Sequence, residues 1–470
     1  MRTLKHILHF SDVHLNISKS LDLAESAALP IRYGQDAPLR LLESALAFAK
    51  QVLPQPELFL YTGDHVAHGE HDDAYVAKAV ELNVQMMHKY FPPTSTRTLD
   101  ATAILGNNDA NPNYFMELTN AEAVANPTIA KVSGAWNDSL SSSDLTAFKR
   151  RGFLSYALGD KAVVLTLNTV PYAPKHTPNT QNVEDPFGQF AWLESTLASL
   201  KASGKVAYIA GHIPPVVDSF REEPQWFASY IETYKRIVGK YADVVKAQFF
   251  GHVQSVEVRV PLLKSTASGA VPTAFSTADE TYQLVPLFLS GSISPYFINN
   301  PSFIVWDYDA TTFEVVDFTV YGTNISEKAE QALDWQPLFK GSEAYGLQSL
   351  STGDLSAFYE RVKTDPELLD AYYWNTRAQS RRFEPCASDL CRATTLCAMK
   401  WWSTKSEYSA CVDGVQSNIR NRPVAATPPP RIGGATNGNA EHQTPPGDSS
   451  VAVIMIALAA AVVAVVAIAI

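Results

Sequence analysis

Short apolar runs that stop at a polar cluster punctuate the first half of the chain. Ile7–Phe10 ends in Ser-Asp, Leu58–Tyr61 in Thr-Gly-Asp, and Ala101–Leu105 in Gly-Asn-Asn-Asp. Ala162–Leu167, Val206–Ile209 and Ala247–Phe250 follow the same pattern. Continuous apolar runs of this length predict buried strands. Between them apolar residues recur at helical spacing. Leu41, Leu42, Ala45, Leu46 and Ala49 define a helix over Ala37–Val52, and further helices are predicted over Asp73–Tyr90 and Phe187–Lys201. Strands alternating with helices predict α/β layering. The polar clusters stand just past the strand ends, where open α/β sheets place their sites.

The pattern then changes. Phe303–Asp307 and Thr312–Tyr321 predict a hairpin, and Leu355–Arg361 and Leu368–Arg382 predict helices. From Arg422 to Ser450 the chain is rich in Pro, Gly, Thr, Asn and Ser, which predicts a linker. Val451–Ile470 is apolar without interruption and long enough to span a hydrocarbon core of ~30 Å. The expected division is therefore a body over 1–325, a helical cysteine-bearing region over 326–421, a linker over 422–450 and a hydrophobic tail over 451–470.

The tail carries a second message. Asn437-Gly438-Asn439 is followed by a polar spacer, Ala440–Ser450, and then by the apolar run. That order predicts a GPI attachment signal, with Gly433-Gly434-Ala435 as an alternative site. A C-terminal tail anchor is the competing reading. Either makes the protein membrane-associated, and the first puts it outside the cell or in a lumen. The opening MRTLKHILHFSDVHL shows no secretory signal, because its apolar residues already belong to a strand. A start downstream of a signal peptide is the expectation that reconciles the two ends.

Composition narrows the partners. A net charge of −11 argues against nucleic acid, whose phosphates call for basic faces. With 470 residues, 46% of them apolar, the chain holds one large domain plus appendages. The first 385 residues contain no cysteine, and then Cys386, Cys391, Cys397 and Cys411 fall within 26 positions. Their spacing is poor for structural zinc and favours a disulfide-stapled cap, in any of three pairings. Disulfides imply an oxidising compartment. There, the triplets at Asn137 and Asn324 would be glycosylation acceptors.

Five segments present metal-type ligands at strand ends: Asp12 and His14 in DxH, Asp64 in TGD, Asn107 in GNND, His212 in GHIPP and His252 in GHVQ. Alone each is weak, since a strand-end Asp is often a helix cap and a buried His often a core residue. Together they suit a site for two divalent ions that clamps a phosphoryl centre, with one carboxylate, Asp64, bridging them. Mixed nitrogen and oxygen donors suit zinc, manganese or iron. A water with lowered pKa, bridging the metals, would be the nucleophile.

This order of motifs resembles the calcineurin-like metallophosphoesterases. YGQDAPLRLLESAL, the TGDxxxH form at Gly63–His68, GSISPYFINNPSFIVWDYD and the cysteine-bearing helical region are similar to the acid sphingomyelinase-like branch. The resemblance implies a four-layer α/β/β/α core followed by a small helical, cysteine-bearing C-terminal domain. It also implies metal-dependent hydrolysis of a phosphoester small molecule or lipid. Asp12, His14 and Asp64 would hold one ion, and Asp64, Asn107, His212 and His252 the other.

Two positions depart from that branch. Where it carries GNH this chain has Asn108, a catalytic position filled by an amide that cannot act as a general acid. Where it carries GHxH this chain has Gln254, whose carbonyl oxygen ligates more weakly than imidazole. Both departures resemble the endopolyphosphatases, which makes polyphosphate an alternative substrate. A membrane-tethered binding protein with a degenerate site is the third reading. His68, four residues after Asp64, becomes the expected proton donor to the leaving oxygen, with His65 behind it. Trp401 and Trp402 fit either a lipid-facing rim or buried packing.

Overall fold

The structure is a computed structural model that describes residues 2–93, 101–120, 122–261, 284–325 and 333–420. Residues Met1–Asn421 form one compact unit. The predicted linker and apolar tail lie outside the described residues. Among the described residues no helix is long and apolar enough to cross a membrane.

The described residues contain β1 (Leu4–Phe10), β2 (Leu58–Tyr61), β3 (Leu154–Leu158), β4 (Ala162–Thr166), β5 (Val206–Ala210), β6 (Val245–Phe250), β7 (Glu257–Arg259), β8 (Leu287–Leu289), β9 (Ser302–Asp309), β10 (Val315–Gly322) and β11 (Gln336–Lys340). One sheet has the order β11-β10-β9-β1-β2, and the other β3-β4-β5-β6-β8-β7. β1 and β2 are parallel, as are β4, β5, β6 and β8 in sequence across the second sheet. Short edge pairings such as β3 with β4 are antiparallel.

Alternation along the strands builds two cores. In β4 and β5, Val163, Leu165, Ala207 and Ile209 face the helices Gln189–Ala202 and Ala228–Lys240. Their neighbours Val164, Tyr208 and Ala210 face the first sheet. Between the sheets the contact is aromatic: Trp306 of β9 lies 5.2 Å from Phe249 of β6 and 5.0 Å from Phe288 of β8, ring centre to ring centre. Helices Leu39–Val52 and Asp73–Tyr90 cover the outer face of the first sheet with Leu42, Leu46, Val80 and Val84. The layering is α/β/β/α, as the resemblance implied.

Two predicted elements are corrected. Ala101–Leu105 is buried but joins no ladder, because Ile104 N turns back to Thr102 O and only Ala101 O meets β2, at Tyr61 N. The helix expected over Leu368–Arg382 is Pro366–Thr376. Asp365 caps its start, and Ala378 and Gln379 adopt left-handed backbone, φ 48° and 58°, which ends it. The four cysteines pair as Cys386–Cys391 and Cys397–Cys411. Trp401 and Trp402 are buried, donating to Pro215 O and Cys397 O, so packing is their role.

Candidate metal centre

Each predicted ligand leaves the carboxyl end of a strand or of the buried segment beside β2. β1 delivers Asp12 and His14, β2 delivers Asp64, and Ala101–Leu105 leads into the single turn Asn107–Asp109. β5 delivers His212, and β6 delivers His252 and Gln254. The backbone at these exits is unusual. Asp12, His14, Asp64, His252 and Gln254 have φ of 49°, 46°, 58°, 69° and 56°. Left-handed backbone costs non-glycine residues of order 1–3 kcal/mol and persists where the surroundings dictate it. Here bonds between exits do so: Asp12 N donates to Gly63 O, His14 N to Asp64 O, and Gly251 N to His212 O.

Two glycines permit the close approach. A Cβ on Gly106 would lie 2.0 Å from Asp64 Oδ1, and one on Gly251 would lie 2.1 Å from Ser11 Oγ. Neither position accepts a side chain.

Three imidazoles each turn one nitrogen inward because the other is engaged. His14 Nδ1 lies 3.0 Å from Val66 O, and His212 Nδ1 lies 2.7 Å from Thr62 O. Both of these nitrogens must donate to a carbonyl, so each Nε2 faces the cluster, where a metal would take the place of its proton. His252 is reversed: Nε2 meets Gln225 Oε1 at 2.9 Å, and Nδ1 lies 3.3 Å from His212 Nε2. Asp64 Oδ2 sits between the two sides, 3.4 Å from His14 Nε2 and 3.2 Å from His212 Nε2. Asn107 Oδ1 is 3.2 Å from His212 Nε2. Gln254 reaches His14 Nε2 at 2.9 Å through its amide group.

A one-way chain of hydrogen bonds sets Asp12. Trp306 Nε1–H donates to His9 Nδ1, so His9 Nε2–H donates to Thr62 Oγ1. Thr62 donates to Ser11 Oγ, and Ser11 to Asp12 Oδ2. Burial holds the His9 pKa down at about 3, so the ring is neutral, as the chain requires. His252 N also donates to Asp12 Oδ2. Oδ1 of Asp12 is left buried without a hydrogen-bond partner, and so is Oε1 of Gln254.

Those two orphaned oxygens, with the converging imidazoles, fit divalent metal ions. Electrostatics agree. Burial lowers the His14 pKa, but the Asp64, Asp12 and Asp36 carboxylates outweigh it and raise it to about 9. His212 is likewise raised to about 9, by Asp64 above all. The same field attracts any cation. Three triads, Asp12-His14-Asp64, Asp64-His212-His252 and His14-Asp36-His68, each bring ligand atoms within 4.8 Å of one another.

His68 stands beside this cluster. Its ring is stacked between His14, 3.8 Å away, and Tyr296, 4.2 Å away. Its Nδ1 is 2.8 Å from Asp36 Oδ1, and its backbone N donates to Asp36 Oδ2. Ser294 Oγ also donates to Asp36. Burial and the charge on His14 lower the His68 pKa, while Asp36 opposes them. Asn108 points at Asp64: its N and Nδ2 donate to Oδ1 at 2.8 Å and Oδ2 at 2.9 Å. His65 is buried against Trp136 and lies 3.1 Å from Asn83. Sequence reasoning missed Asp36 and Gln225. Asp36 lies inside a segment used above only for resemblance, and Gln225 sits in a loop with no motif.

The sequence model of the calcineurin-like phosphoesterases matches residues 5–255, over half of the chain. The chain belongs to that family. Calcineurin-like phosphoesterases use a dinuclear metal centre, and this chain is a dinuclear metal phosphoesterase with the ligand groups to match. Curated relatives span most of its length. It is 27% identical over 435 residues to acid sphingomyelinase-like phosphodiesterase 3b of Mus musculus, covering 87% of this chain and 90% of the relative. It is 26% identical over 361 residues to cyclic GMP-AMP phosphodiesterase SMPDL3A of Bos taurus, covering 74% and 75%. It is 25% identical over 349 residues to sphingomyelinase phosphodiesterase D of Dictyostelium discoideum, covering 73% and 74%.

Proposed function

We propose that the protein hydrolyses phosphodiesters, with Asp12, His14, Asp64 and Gln254 holding one divalent ion and Asp64, Asn107, His212 and His252 the other. One observation carries this reading: Asp64 Oδ2 lies 3.4 Å from His14 Nε2 and 3.2 Å from His212 Nε2, so one carboxylate can serve both sides. When bound, the two ions supply Lewis acidity at phosphorus and a water nucleophile near neutral pH. Zinc is the favoured metal on the nitrogen donors, with manganese or iron as substitutes.

The protein's own groups do the rest. Asn108 holds the Asp64 carboxylate in place. Asp36 binds the His68 Nδ1 edge, so a proton carried on Nε2 faces outward to the departing oxygen. Asp36 also stabilises the imidazolium that such a donor requires. Gln254 must turn its amide to present Oε1, a half-turn about its last torsion that leaves its shape unchanged.

Relatives and rim support a substrate class. Relatives carry sphingomyelin and cyclic dinucleotide phosphodiesterase names. Beside His68, Tyr296 and Phe297 are 38% and 36% exposed, an aromatic lip for the apolar part of a diester. An amphiphilic phosphodiester is the favoured substrate, presented to a protein that the apolar tail holds at a membrane. The test is a hydrolysis panel on the purified protein, with sphingomyelin, a cyclic dinucleotide, polyphosphate and bis-nitrophenyl phosphate under zinc, manganese and cobalt. Diester cleavage with choline phosphate or nucleotide release supports the proposal. Polyphosphate cleavage without diester turnover replaces it with the endopolyphosphatase reading, and binding without turnover replaces it with the degenerate-site reading.

A further inference from the structure

A second cavity, of about 330 Å³, lies between the Ser219–Glu222 loop, β7, the end of helix Pro366–Thr376 and the start of helix Asp389–Ala398. No residue of the metal cluster lines it. Arg377 does, and it is only 9% exposed. Aromatic rings crowd its guanidinium: Phe220 at 4.1 Å, Phe383 at 4.9 Å and Tyr373 at 5.4 Å. Its Nε and Nη1 have no hydrogen-bond acceptor. Buried donors left without acceptors are costly, and those of a cation more so.

Of the two carboxylates that line the cavity, Glu222 is half-buried and Glu257 is already engaged. Glu257 contacts Arg259 at 2.5 Å and accepts from Ser219 Oγ at 2.6 Å. Arg259 is fully buried. Glu257 thus lies near two buried guanidiniums, and it leaves two donors of Arg377 without an acceptor. With its faces taken by rings, Arg377 offers the edge of its plane to an acceptor. A compact oxyanion is the partner that geometry suits. At the mouth, Phe220 is 41% and Leu390 54% exposed, so an apolar group attached to that oxyanion has surface to lie on.

We propose that this cavity is a second binding site, for the phosphate of an organic phosphate monoester, with Arg377 on the phosphate and Phe220 and Leu390 on the organic part. Hydrolysis of a phosphodiester releases one phosphate monoester and one alcohol, so the ligand belongs to the class of product that the proposed reaction forms. The loop over Arg377 also serves the metal cluster. Gln225 bonds His252 and Asp218, and Asp218 accepts from Phe220 N. The binding site itself does not depend on the assignment of the metal ligands.

Phenylphosphonate, whose C–P bond resists hydrolysis, is the probe, and calorimetric titration of the metal-loaded protein is the measurement. Two sites are expected in the wild type. Asp64→Asn should keep the Arg377 site and lose the metal-dependent one. Arg377→Gln should do the reverse, weakening its site at least ~10-fold, as loss of a charged hydrogen bond predicts. Leu390→Asp puts a repelling carboxylate at the exposed mouth without touching the buried arginine. It should weaken the same site several-fold, and it keeps the test open if Arg377→Gln does not fold. The proposal is overturned if Asp64→Asn removes all binding, or if Leu390→Asp leaves both sites unchanged. Retention of two metals by Asp64→Asn would instead break the bridging assignment and leave this site standing.

Discussion

The two sides of the metal cluster are built differently. On the His212 side two imidazoles and an asparagine oxygen converge on Asp64, each ring fixed by a carbonyl partner, Thr62 O or Gln225 Oε1. On the His14 side there is one imidazole, the Asp12 carboxylate and the Gln254 amide, with the Asp36–His68 pair stacked against them. On the proposed assignment the first side is all ligand. The second would trade a ligand of weaker donor strength for a neighbouring proton carrier. The difference teaches that binding strength and proton delivery need not be spread evenly over a dimetal site, and each side can be broken separately.

The shared carboxylate should matter most. Asp64→Asn is expected to lower turnover by on the order of 10³-fold or more and to reduce metal content on both sides, read by elemental analysis. Loss of one ion alone would show that the sides do not share it. His68→Ala comes next. It should slow substrates with poor leaving groups by on the order of 10²–10⁴-fold and barely affect nitrophenyl esters, with both metals retained. Equal loss on both substrate types would make His68 a phosphate-positioning group instead.

Smaller effects test how the ligands are held. His9→Phe keeps an aromatic ring but cuts the chain from Trp306 to Asp12, and should weaken metal affinity on the His14 side on the order of 10–100-fold. An unchanged titration would mean that Ser11 and His252 N fix Asp12 without it. Gln254→His should tighten the ion on the same side by on the order of tenfold, because imidazole is the better donor for zinc-like ions. If affinity stays level, Gln254 does not ligate.

The gathering of these residues was legible because each follows an apolar run and most sit next to a glycine. Asp12, Asp64, Asn107, His212 and His252 were picked out by that pattern, although the run before Asn107 forms no strand. What stayed hidden depends on contacts across the chain. Asp36 reads locally as a polar residue before a helix, and only folding puts its carboxylate 2.8 Å from a histidine 32 positions on. Gln225 orients His252 from a loop without periodicity. The left-handed φ values at five of these positions were not read from the sequence, although four of the five are Asp or His, which visit that region more than most residues do. Ala101–Leu105 misled for the opposite reason. Its apolar content is that of a strand, but the hydrogen bond from Ile104 to Thr102 closes the backbone on itself.

The way the first sheet is knitted bears on how the protein comes into being. Asp12 and His14 leave the end of β1, and β1 is flanked by β2 on one side and by β9, Ser302–Asp309, on the other. Trp306, the head of the chain that aims Asp12, is itself part of β9. A ribosome that has released only the stretch matched by the family, residues 5–255, has made every ligand but not the strand that seats two of them. The scaffold is therefore completed after the ligands, and the seat of Asp12 and His14 is whole only once the chain has emerged past residue 309.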